Sequence, residues 1–298
     1  MITSASMPTI DPEVAQRLLR KLDALLPEPP PQVDFDRDWA FQWRRQASLV
    51  GEQGSLRPVS QPAWVRFSDL HHIEHQAEQV ARNTRHFVQG LPANNVLMTG
   101  ARGTGKSSLV RACLTEFGGQ GLRLIEVDRD HLADLPAIAD RIHGQQQRFV
   151  VFCDDLSFEP GEPGYKALKS VLDGGVSAQP NNLLIYATSN RRHLMPEQAS
   201  ENLQARMDAL GELHPAEATE EKVSLSDRFG LWVSFHGFAQ TAYLDIVHHW
   251  LGELGVPQAQ WPEARLEALQ WATQRGSRSG RVAHAFARDW AARQLARD

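Results

Sequence analysis

The chain has 298 residues, 42% of them hydrophobic and 22% charged, with a formal net charge of −5. That composition excludes a disordered or fibrous chain, and the charge excludes a global basic bias toward polyanions, although a local patch is still possible. Two cysteines, Cys113 and Cys153, are too few for a disulfide framework and have no zinc-binding spacing, which fits a reducing compartment.

No apolar stretch approaches the roughly 20 residues that a membrane helix needs. The start, Met1-Ile2-Thr3-Ser4, lacks a basic segment followed by an apolar run, so the expectation is a cytoplasmic protein without membrane association.

Along the chain, Val14, Leu18, Leu22 and Leu25 share one face of a helix expected over 11–26, with Asp11 as cap and Pro12 in its first turn. Pro27-Glu28-Pro29-Pro30-Pro31 ends it and reads as a stiff linker. An aromatic-basic stretch follows with Trp39, Phe41, Trp43, Arg44 and Arg45. Such aromatics can stack on single-stranded nucleic acid, but packing onto the core is the favoured reading. Residues 51–68, with Gly51, Gly54, Pro58 and Pro62, read as irregular.

From about residue 69 helices and strands alternate. A helix over Glu74–Gln89 leads to the strand Val96-Leu97-Met98, and a glycine-rich loop leads to a helix from Lys106 to about Phe117. Strand Leu122–Val127, a helix near Leu135–His143 and strand Phe149–Cys153 come next. A helix over Tyr165–Leu172, strand Leu183–Ala187 and strand Leu231–Phe235 complete the series. Continuous apolar strands separated by helices imply a parallel sheet covered on both faces. From about residue 239 only helices are expected. The division is therefore an N-terminal extension and linker over 1–67, a nucleotide-binding α/β domain over 68–238 and a helical lid over 239–298.

Gly100-Ala101-Arg102-Gly103-Thr104-Gly105-Lys106-Ser107 matches G-x-x-x-x-G-K-[ST] in full, between an apolar strand and a helix, and Ser108 continues it. Glycines let the backbone amides curl inward as a nest for phosphate oxygens, and the helix N-terminus faces the same charge. Lys106 would reach the β- and γ-phosphates, and the Ser107 hydroxyl would sit on Mg²⁺. The strand Phe149–Cys153 ends in Asp154 and Asp155. Asp154 is placed as the Mg²⁺-side carboxylate with Ser107, and Asp155 as the base that polarises the attacking water, with Glu159 as a fallback. His71 and His75 have i, i+4 spacing, but no acid completes a hydrolase signature, so a metal site there is disfavoured. Glu217–Lys222 reads as a solvated loop. Cys153 lies within an apolar strand and reads as a structural thiol.

With these motifs the chain resembles the AAA+ ATPases from about residue 68 to its end. Ala187-Thr188-Ser189-Asn190-Arg191-Arg192 resembles the sensor 1 segment, which implies that Asn190 reads the γ-phosphate or orients water. Leu225-Ser226-Asp227-Arg228-Phe229-Gly230 resembles the arginine-finger segment, which implies that Arg228 reaches the site of an adjacent subunit. Arg275-Gly276-Ser277-Arg278-Ser279-Gly280-Arg281 resembles the sensor 2 region, with Arg281 the first choice and Arg278 the second. Phe67-Ser68-Asp69-Leu70-His71-His72-Ile73 resembles the segment that packs against adenine. A closer resemblance is to one bacterial family of AAA+ type with no assigned function, carried by Gly90–Asn95, Asp154–Glu159 and the Arg-Ser-Gly-Arg element.

The resemblance implies a three-layer P-loop NTPase sandwich with a parallel sheet, then a small all-helical lid, after a helical or irregular N-terminal extension. It implies ATP and Mg²⁺ as ligands, a homo-oligomer with ATP at subunit interfaces, and a protein or nucleic-acid client that the motifs do not identify. ATP hydrolysis coupled to remodelling or loading of that client is the expected activity. The alternative is a nucleotide-gated assembly module with little turnover, favoured by an aspartate at 155 where many such enzymes have glutamate. A GTPase fits poorly, because no Asn-Lys-x-Asp signature is present.

Overall fold

The computed structural model describes residues 11–25, 32–48, 51–158, 162–173, 181–190, 206–207, 213–214 and 225–296. The expected Pro27–Pro31 linker, Glu159, Arg191, Arg192 and the Glu217–Lys222 loop lie outside the described residues.

Helix α1 spans Pro12–Leu25 and starts at Asp11, whose Oδ1 accepts the Glu13 N–H at 2.9 Å. A seven-stranded sheet follows in the order β2-β1-β4-β5-β6-β3-β9. Its strands are β1 Ala40–Ser48, β2 Gly51–Pro58, β3 Val96–Gly100, β4 Leu122–Glu126, β5 Arg148–Cys153, β6 Leu183–Ser189 and β9 Leu231–Phe235. A separate ribbon pairs β7 Arg206–Met207 with β8 Leu213–His214. Strands β4, β5, β6, β3 and β9 are mutually parallel, as the unbroken apolar runs require.

Alternation along β3 shows how both faces are covered. Val96 and Met98 enter one core with Val80 and Phe87 of α2 (Glu74–Val88) and Leu109, Val110 and Cys113 of α3 (Lys106–Phe117). Leu97, between them, faces a second core with Ile138 and Ile142 of α4 (Leu135–Ile142) and Leu168 of α5 (Pro163–Asp173). All three β3 residues are fully buried, the period-two signature of a strand sandwiched between helical layers.

Residues 51–68, expected to be irregular, contain β2, which pairs antiparallel with β1, while β1 runs parallel to β4. The aromatic-basic stretch is therefore sheet. Phe41 and Trp43 are 1% and 3% exposed, so these rings pack the core and are not a stacking platform. The Trp43 indole lies over Gly54, where an added Cβ would fall 2.1 Å from the ring. Asp134 fastens this hairpin by accepting Trp43 Nε1–H at 2.7 Å and Arg45 Nε–H and Nη2–H at 2.7 and 2.6 Å.

Helices α6 (Gln240–Glu253), α7 (Trp261–Gln274) and α8 (Gly280–Leu295) build a third core around Tyr243, Phe286 and Trp290. Phe238 packs against both this core and the α2–α3 core, so it links the lid to the sheet. Among the described residues no helix is long and apolar enough to cross a membrane.

Candidate functional site

The carboxyl ends of β3, β5 and β6 converge on one cavity of about 650 Å³. After β3 the chain turns through Gly100 (φ 127°), Gly103 (φ 71°) and Gly105 (φ 100°), all in the left-handed region that glycine tolerates. Gly100 also allows a close approach: a Cβ there would fall 1.9 Å from the Phe235 carbonyl oxygen. Gly105 then caps α3, and residues 102–108 line the cavity.

Lys106 is 6% exposed. Its ammonium donates to the carbonyls of Gly100 (2.9 Å) and Ala101 (2.8 Å) and to Asn190 Oδ1 (3.1 Å), which uses all three of its hydrogens. Burial pulls its pKa below the ordinary lysine value, against the opposing pull of Asp154 and Asp155. Asp154 Oδ1 accepts the hydroxyls of Ser107 (2.7 Å) and Thr188 (2.5 Å). Ser107 and Asp154 thus present adjacent hard oxygen donors, the chemistry Mg²⁺ requires, so this pair fits the ion.

Asp155 adopts φ 52°, an uncommon conformation for a residue with a side chain. Its amide donates to Thr188 Oγ1 at 2.9 Å, and its carboxylate accepts Asn190 Nδ2–H at 2.6 Å. Arg102 approaches the same carboxylate at 3.9 Å. Asn190 therefore touches both Lys106 and Asp155. Thr188 escaped the sequence reading as a site residue. Its signal is a polar side chain directly after the apolar run Leu183–Ala187.

The lid supplies the opposite wall. Gly280 N–H donates to Gly103 O at 2.8 Å, and Ser279 caps α8 by accepting Val282 N–H at 3.3 Å. Arg281 and His284 of α8 line the cavity, whereas Arg278 lines a separate depression. Leu70 and Ile73 line the cavity beside Ile246 and Trp250 of α6, an apolar slot suited to a flat base. Burial pushes the pKa of His284 down, and its ring meets Trp250 at 4.5 Å. Trp250 and His284 also went unnoticed in the sequence, since an aromatic on a helix carries no sign of the wall it will form. His71 packs against His249 with centroids 4.2 Å apart, and His75 is exposed.

Arg228 is not brought to this cavity. It follows a helical turn at 225–227 and pairs with Asp173 at the end of α5. It precedes the amino-terminal end of β9, and five strand residues at about 3.3 Å each, about 17 Å, separate that end from the phosphate loop.

Over residues 36–294 the chain matches the model of a family described as "Protein of unknown function (DUF815)". No curated protein matches it. Among solved structures it is similar to the Aeropyrum pernix Orc1 protein in complex with DNA, with TM-score 0.52 and 16% identity, covering 77% of this chain and 62% of that one. A Thermotoga maritima RuvB variant gives TM-score 0.48 and 14% identity, covering 75% of this chain and 63% of that one. C. elegans PCH-2 gives TM-score 0.47 and 14% identity, covering 77% and 72%. The chain spans less than two thirds of the Orc1 and RuvB chains, and at 16% identity the likeness to Orc1 is one of fold. Strand order, phosphate loop and family match lead to one statement: this chain belongs to the DUF815 family, and its fold is that of the AAA+ P-loop NTPases.

Proposed function

We propose that this protein binds ATP with Mg²⁺ in the cavity and hydrolyses it as an oligomer with the site at subunit interfaces, coupling turnover to remodelling or loading of a protein or nucleic-acid client. One observation carries the reading: Lys106 at the head of α3, Asp155 after β5 and Asn190 after β6 form one hydrogen-bonded chain beside the phosphate loop.

In this reading the Lys106 ammonium exchanges the Gly100 and Ala101 carbonyls for β- and γ-phosphate oxygens. Bound between Ser107 and Asp154, Mg²⁺ would neutralise charge on those oxygens. Asp155 accepts the proton of the attacking water, and Asn190 holds that carboxylate in place. Arg281 closes on the phosphates as the lid docks through Gly280. Arg228 serves the site of the next subunit, since its place beside Asp173 is remote from its own cavity. Cys113 and Cys153, both free thiols, fit a cytoplasmic setting.

A second reading, a nucleotide-gated module with little turnover, draws on Asp155: a carboxylate shorter than glutamate and already engaged by Asn190 and Arg102. Calorimetry with Mg-ATP and phosphate release at high subunit concentration test both readings. Lys106→Ala should abolish binding, and Arg228→Ala should spare binding and stop turnover. No magnesium-dependent affinity for adenine nucleotides would overturn the first reading, and ready turnover would remove the second.

A further inference from the structure

A second cavity of about 550 Å³ lies beside the phosphate loop. Ala101 and Arg102 form one wall, Phe238 lies in the connection into the lid, and Thr273, Ser277 and Arg278 line the side of the α7–α8 turn. It has two guanidinium groups and no carboxylate. Arg278 has no hydrogen-bond or ion-pair partner among the described residues. Arg102 has one ion-pair partner there, Asp155, at 3.9 Å with side chains 79% and 59% exposed. Arg102 lines both cavities, so a single side chain separates the second cavity from the carboxylate read above as the base.

We propose that this cavity docks a glutamate-bearing acidic peptide, and that its occupation draws Arg102 away from Asp155 and raises ATP turnover. Two planar guanidinium forks over an apolar floor of Phe238 and Ala272 suit a carboxylate carried on a methylene stem. A nucleic-acid strand needs a row of cations along successive phosphates, which a pit with two arginines does not offer. The pit therefore selects protein over nucleic acid. A long, solvent-exposed ion pair holds its partners weakly, so a second carboxylate competes effectively for Arg102. Asp155 is then left to Asn190 and the attacking water. This coupling, unlike the docking itself, rests on the reading of Asp155 given above.

The test uses fluorescein-labelled octaglutamate and the full chain, with binding read by anisotropy. Two variants, Thr273→Glu and Ser277→Glu, each place a like charge in the pit, on exposed positions that touch neither nucleotide nor catalytic groups. Each should weaken octaglutamate by about tenfold or more while leaving ADP affinity unchanged. Octaglutamate should raise phosphate release by the unsubstituted protein about threefold or more, and by neither variant. Failure of octaglutamate to bind overturns the docking site, as does binding that both variants leave intact or displacement at lower concentration by an oligothymidylate of equal charge. Peptide binding without a change in turnover overturns the coupling. Absence of ADP and ATP binding in the unsubstituted protein defeats the reading of the nucleotide site instead, and the anisotropy arm still decides the docking site.

Discussion

Asn190→Ala removes the link between the phosphate-loop lysine and the carboxylate of Asp155, and its cost can be worked from the contacts. Two bonds disappear, one from Lys106 at 3.1 Å and one to Asp155 at 2.6 Å. A hydrogen bond to a charged group is worth about 1.5–3 kcal/mol where solvent is excluded. The Asp155 side chain is 59% exposed, so its share is screened to the lower end or below, whereas Lys106 is 6% exposed and keeps its share. Lys106 retains the Gly100 and Ala101 carbonyls, so its ammonium stays in place and affinity for ADP and ATP should change by less than about threefold. What is lost is the orientation of the carboxylate. Removing one preorganised group of this kind commonly costs about 10²–10³ in rate, and the exposure of Asp155 reduces that to about 10–100-fold. Single-turnover phosphate release at saturating ATP, with parallel calorimetry, measures both quantities. A rate within about twofold of the unsubstituted protein, or a collapse of affinity at unchanged rate, would refute the assignment.

Asp134→Ala leaves the Trp43 indole N–H without its acceptor and Arg45 with Glu52 alone, and should cost about 2–4 kcal/mol, read as a lower urea midpoint at pH 7. Its carboxyl is held below the ordinary aspartate value, first by Arg45. The stabilisation is therefore complete above the unfolded value of about 4 and is lost as pH falls through the lower folded value. Urea titrations should show the unsubstituted protein losing more stability than Asp134→Ala between pH 7 and pH 3. Gly103→Ala adds a Cβ 2.8 Å from Ser279 Cβ and Oγ at φ 71°, costing about 1–2 kcal/mol in backbone conformation and pushing α8 off the loop. ATP affinity should fall about tenfold in calorimetry, while Gly144→Ala, at φ 75° with nothing within 4 Å of its Cβ, leaves it unchanged.

The parts of the fold that could be read from sequence are those where burial acts on every residue. β3, β5 and β6 lie between helical layers, so each has an unbroken apolar run (Val96–Met98, Phe149–Cys153 and Leu183–Ala187) that stands out against polar helix faces. The glycine-lysine-serine loop was legible for another reason: its backbone geometry admits few residues. β1 and β2 were illegible because long-range contacts hold them. β2 carries Gly51 and Gly54, and nothing local shows that Gly54 makes room for an indole or that Asp134, far along the chain, will receive that indole's N–H. The same holds at the site. Asp154 and Lys106 carry a local motif, but Thr188 bonds to Asp154 through strand order alone, and Trp250 joins the cavity only because the lid folds back over it.

The lysine whose three hydrogens are already spoken for has a consequence for ligand choice. A loop held in shape by its own side chain meets the phosphates without first having to order, so little conformational entropy is lost on binding. Diphosphate and triphosphate share that benefit equally. Telling them apart is then left to the groups that meet the terminal phosphate, the Lys106 ammonium and side chains outside the loop, and the difference between the two affinities measures those groups.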